Sequence, residues 1–94
     1  MYARVVRFTD VSPERIEQIA KQVEEAGGPP PGVDSTGMQL LVDEEQGTAV
    51  FIGYFDSEEK LREGSRVLES MDAGDTPGTR ASADTCEVKL TRDA

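Results

Sequence analysis

Between Gly37 and Phe55 the chain reads GMQLLVDEEQGTAVFIGYF, two apolar runs on either side of a short acidic turn. Met38 to Val42 predicts one strand, Asp43 to Gly47 a polar turn, and Thr48 to Phe55 the antiparallel partner strand. The second run does not alternate with polar residues, the pattern of a strand covered on both faces. Val50, Ile52 and Tyr54 fall on one side of it, and Ala49, Phe51 and Phe55 on the other. Gly53 in its middle predicts a bulge or a close approach by another group.

Tyr2 to Thr9 predicts a further strand, with Tyr2, Arg4, Val6 and Phe8 on one face and Ala3, Val5, Arg7 and Thr9 on the other. A helix follows. Ser12 is placed to cap its free amides, Pro13 sits where a missing N–H does no harm, and Glu14 meets the positive end of the helix dipole. Ile16, Ile19, Ala20 and Val23 give it an apolar stripe, Glu17 and Lys21 can pair on the wet side, and Gly27 and Gly28 end it. The stretch GGPPPGVDS from Gly27 to Ser35 is a stiff connector or a lid over one end of the domain, since consecutive prolines supply no ladder amides.

Ser57 caps a second helix, with Glu58 and Glu59 in its first turn and Leu61, Gly64, Leu68 and Met71 on one face. Gly64 lowers helix stability by about 1 kcal/mol relative to Ala, so it marks either a close approach of the helix backbone or a position under no structural demand. After Ala73 and Gly74 a loop, DTPGTRA, leads to a last strand from about Ser82 to Thr91, in which apolar Cys86, Val88 and Leu90 alternate with Thr85, Glu87 and Lys89.

This order is βαββαβ, an α+β ferredoxin-like pattern with a four-stranded antiparallel sheet, the first and third strands central and both helices on one sheet face. Residues 1–94 fit one domain. Helices can cover only one face of the third strand, so its second apolar face calls for a partner. Packing two sheets face to face in a homodimer, as a dimeric α/β barrel, stabilises by roughly 25 cal/mol for each Å² covered.

Charge and composition narrow the chemistry. Nineteen acidic against ten basic side chains give a net charge of −9, a surface that repels phosphate backbones and argues against nucleic-acid binding. No run approaches the roughly 18 apolar residues of a membrane span, MYARVVRF is unlike a signal peptide, and Cys86 is the one cysteine, so a cytoplasmic, reducing location is expected. The chain contains no His, no Trp and no Asn. Ser-His or Cys-His nucleophile pairs and His-based metal sites therefore cannot be built from it.

Among the remaining candidates, Arg4 and Arg7 lie on a strand expected to be central, where a guanidinium needs a partner. One of them binds a carboxylate or phenolate ligand in the cavity, or such an arginine pairs with an acidic neighbour, for which Glu87 and Asp84 are available, or snorkels at the sheet end. Tyr54 and Tyr2 can hydrogen-bond a ligand or pack as amphipathic rings in a dimer face. Cys86 has no histidine to activate it and is expected to face the core. Asp43, Glu44 and Glu45 lack the spacing of a calcium loop and read as a solvated turn.

The start MYARVVRF, Pro31-Gly32 ahead of the second strand, the segment GMQLLVDEEQGTAVFIGYFDSEEKLR and the last strand together resemble small stand-alone proteins of the antibiotic biosynthesis monooxygenase-like, dimeric α/β-barrel superfamily. The resemblance covers nearly the whole chain. It implies a homodimer with a small-molecule cavity between sheet and helices in each subunit, no cofactor of its own, and an aromatic or carboxylate ligand. Active members of that group use Asn, Trp, His or Arg in the cavity, so the haem-degrading set is missing and only an arginine can correspond. The ligand-binding candidates are Arg4, Arg7 and Tyr54, with no catalytic residue carried over and no metal. Three functions follow: a small-molecule-binding protein, a cofactor-independent oxygenase or isomerase of an aromatic, polyketide-like substrate, and a non-catalytic protein-interaction module.

Overall fold

Residues 1–70 and 78–93 are described by the computed structural model of the chain. Their elements run β1 (Tyr2–Thr9), α1 (Pro13–Ala26), β2 (Gly37–Asp43), β3 (Thr48–Phe55), α2 (Glu58–Glu69) and β4 (Thr79–Glu87). The strands form one antiparallel sheet in the order β2-β3-β1-β4, which puts β1 and β3 in the centre, an α+β arrangement consistent with a ferredoxin-like fold. No helix among the described residues is long and apolar enough to cross a membrane.

The helix starts follow from their caps. The Ser12 hydroxyl accepts a hydrogen bond from the Arg15 amide at 3.2 Å with Pro13 in the first turn, and Ser57 accepts one from the Lys60 amide at 3.2 Å. Of the stripe on α1, Ile16 and Ile19 are buried, whereas Ala20 and Val23 are exposed. The hairpin turn is closed from within, Asp43 accepting hydrogen bonds from both the backbone and the side-chain amide of Gln46.

Register assigns each side chain a face, because residues directly opposite in an antiparallel pair share one. Tyr2, Val6 and Phe8 of β1 stand opposite Phe55, Phe51 and Ala49 of β3 on the helix-covered side. Val5 stands opposite Ile52 and Arg7 opposite Val50 on the other, open side, where Val50 also meets Leu41 of β2. The core forms at the α2 end of the covered side, where Val33, Phe55 and Leu61 are buried with Tyr2, Val67 and Leu68 packed around them. Val33 is the anchor of the proline-rich connector, whose turn closes through the Val33 amide donating to the Pro30 carbonyl at 3.1 Å.

Gly64 lies against this core, and the close-approach reading of it is the one the structure bears out. A Cβ at that position would stand 2.7 Å from Cε1 of Phe55 and 3.0 Å from its Cζ. The Phe55 ring is fully buried and cannot swing clear. Gly64→Ala is accordingly expected to destabilise by up to about 2 kcal/mol, because an overpacking penalty of about 1–3 kcal/mol is set against a helix-propensity gain of about 1 kcal/mol. Urea denaturation would check the sign, and a stabilised variant would show that α2 shifts freely.

Three expectations need correction. Gly53 is not bulged, and an added Cβ there would meet the Phe55 ring at an ordinary 3.5 Å. The irregularity lies instead between β1 and β4, at Arg7/Phe8. The last strand spans Thr79–Glu87 rather than Ser82 to Thr91, because Glu87 already stands opposite Tyr2 and the β1 ladder runs out there. Cys86 consequently lies exposed on the open side instead of in the core, and Leu90 is 85% exposed. Met71, Ala73, Gly74 and the first part of the DTPGTRA loop lie outside the described residues.

Candidate functional site

A cleft of about 1100 Å³ runs between the sheet and the two helices, slightly above the usual size range of small-molecule sites. Its floor is the covered side of the central strands, with Val6, Phe8 and Phe51. Ile19 and Val23 of α1 and the prolines of the connector form one wall, which explains why Val23 is exposed though its place in the stripe is apolar. Leu68 and Glu69 of α2 form the other. Phe8 and Phe51 hold each other edge to face, ring centroids 5.7 Å apart at 88°, so the floor is stiff. Gly53 opens room in that floor, standing opposite Arg4 and Met38 without a side chain. The connector Gly28 to Val33 thus serves as a rim of the cleft as well as a link.

One charged cluster faces this apolar space. Arg4 projects from central β1 with its side chain 12% exposed, and its Nη2 donates to Glu69 Oε1 at 2.9 Å. Arg80 of β4 donates from Nη1 to the same carboxylate, at 3.0 Å to Oε1 and 2.9 Å to Oε2. These hydrogen bonds from Arg80 and then Arg4 hold the Glu69 carboxyl below its ordinary range, so it is ionised at neutral pH. The cluster carries a net charge of about +1 in a protein of net charge −9.

Arg80 reaches the cleft because of the strand irregularity. Arg7 pairs with Ser82 and Phe8 with Arg80, leaving Ala81 as the extra residue of a bulge. In an unbroken ladder Ala81 would face Phe8, and Arg80 would fall opposite Thr9 on the open side.

The three candidates from sequence are therefore split between the two faces. Arg4 lines the cleft, and its partner is Glu69 rather than the expected Glu87 or Asp84. Asp84 stands opposite Val5 on the open side, while Glu87 pairs with Lys89 at 2.9 Å. Arg7 is exposed on the open side. Tyr54 is there as well, its hydroxyl donating to Gln39 Oε1 at 2.7 Å beside an open depression of about 420 Å³. Glu69 and Arg80 are missed by sequence reasoning: Arg80 falls in a stretch that reads as loop, and no spacing connects either residue to Arg4.

Compared with known proteins, the chain matches no family model and no curated protein sequence.

Proposed function

We propose that the protein is a homodimeric small-molecule-binding protein of the antibiotic biosynthesis monooxygenase-like group, without a cofactor of its own, that takes an apolar ligand into the cleft of each subunit. The carrying observation is the cleft itself: about 1100 Å³ of space with an aromatic and aliphatic floor and one arginine cluster on its border. Phe8, Phe51, Phe55 and Met38 leave that space open instead of filling it, which argues against a pure interaction module. Binding is favoured over proton-transfer catalysis because, among the described residues, the titratable groups bordering the cleft are Arg4, Arg80 and Glu69. Glu69, held ionised by two guanidinium groups, is a weak proton acceptor. The homodimer rests on the open side of the sheet, where Val5, Val50, Ile52 and Leu41 form an apolar patch that a second sheet would cover.

Native mass spectrometry of protein taken directly from cells tests both parts. The expected spectrum is a dimer carrying up to two copies of one small organic molecule. A ligand-free protein that also fails to take up any member of a panel of aromatic carboxylates and alcohols would refute the binding reading.

A further inference from the structure

We infer that Arg4 and Arg80 form the seat for a carboxylate group on the cleft ligand, and that Glu69 is an internal carboxylate competing for the same seat. The inference rests on the binding role proposed for the cleft and specifies its ligand class: a monoanionic carboxylate on an apolar, aromatic-sized body.

Arg4 and Arg80 belong to different strands, and the register partner of Arg80 is Phe8, four residues along β1 from Arg4 and so about 13 Å away along the strand. Their guanidinium groups nevertheless converge on one carboxylate, above Val6 and the small Ala83 that pair between them. The bulge at Ala81 is what turns Arg80 to this side. Three hydrogen bonds of 2.9–3.0 Å from two arginines to one carboxylate form a ready-made recognition geometry for that group.

Glu69 is a weakly fixed occupant of it. It is the last residue of α2, where the free carbonyls concentrate negative charge and disfavour a carboxylate. Its side chain is 46% exposed, so it can swing into water at small expense, whereas Arg4 at 12% cannot. The apolar floor of Val6, Phe8 and Phe51 borders the same cleft and accepts the body of a ligand whose carboxylate takes over the arginines. A monoanion matches the net charge of about +1 of the cluster.

The test compares naphthoate with naphthalenemethanol, an anionic and a neutral probe of one body size, by calorimetry and by amide chemical shifts, on the full chain and on its Glu69→Gln and Arg80→Ala variants. Glu69→Gln removes the competing charge and is expected to tighten naphthoate at least about tenfold, or about 1.4 kcal/mol, with naphthalenemethanol unchanged within about twofold. Arg80→Ala is expected to weaken naphthoate alone, and to cancel the gain when combined with Glu69→Gln. Equal changes for both probes, or no change for either, overturn the carboxylate seat and leave the cleft reading standing. If neither probe binds any of the proteins, the cleft reading fails and the seat fails with it. Circular dichroism melts confirm that each variant is folded.

Discussion

Phe55→Ala is expected to lower the stability of the domain by about 3–5 kcal/mol, within the range set by large truncations of buried aromatic rings. Phe55 is 1% exposed, the most completely buried large side chain among the described residues. It stands opposite Tyr2 across the central strands, closes against Val33 and Leu61, and meets the face of α2 that Gly64 leaves bare. Collapse of α2 into the void would have to carry the connector along, since Val33 is packed on the same ring. Small domains hold only about 5–15 kcal/mol in total, so this one change removes a large share. The measurement is urea unfolding followed by far-ultraviolet circular dichroism. A loss below about 1 kcal/mol would mean that the packing of α2 and the connector does not depend on the Phe55 ring.

Ile52→Glu is expected to break the proposed homodimer into monomers while leaving the fold intact. Ile52 lies on a central strand directly opposite Val5 and Gln39, on the side of the sheet away from the helices. In a monomer a glutamate there reaches water. In a face-to-face dimer it becomes an unpaired carboxylate in the middle of an apolar contact, which raises the dissociation constant by a hundredfold or more on the order-of-magnitude scale for burying such a charge. Leu41→Glu is the companion, because Leu41 is already 49% exposed and on an edge strand, so its loss does not threaten the core. Light scattering after gel filtration at micromolar concentration decides the matter. A monomeric parent protein sinks the dimer, and a dimer that survives both substitutions sinks its face-to-face arrangement.

The sequence makes the sheet legible because its informative signals are local. The run of β3, apolar without alternation, places it in the centre, and Ser12 and Ser57 announce the helices by the hydrogen bonds their hydroxyls accept. Gly64 is only half readable: an unfavourable residue inside a helix raises a close approach as one of two readings, and the contact with the Phe55 ring decides between them. The site is less legible because it depends on register. Alternation along β1 already separates Arg4 from Arg7, and only the side on which the helices pack gives Arg4 the cleft and Arg7 the open side. Arg80 depends on an extra residue, Ala81, that has neither a glycine nor a proline to mark it. A regular alternation carried back from Cys86 assigns Arg80 the same face as Cys86, on the open side, and the bulge reverses that assignment. Glu69 ends a helix and is joined to Arg4 only by the three-dimensional path of the chain.

All nine residues of β4 are exposed, and its ladder to β1 ties it to the sheet on one side only. A strand so placed belongs to the units that open first, through local unfolding well below the global free energy. Arg80 rides on it, so each opening removes one of the two guanidinium groups from the cleft. On the binding role proposed for the cleft, ligand retention and amide-exchange protection along Thr79–Glu87 become linked quantities: whatever zips β4 onto β1 lengthens the residence of a bound anion, and a bound anion slows the exchange of β4 amides.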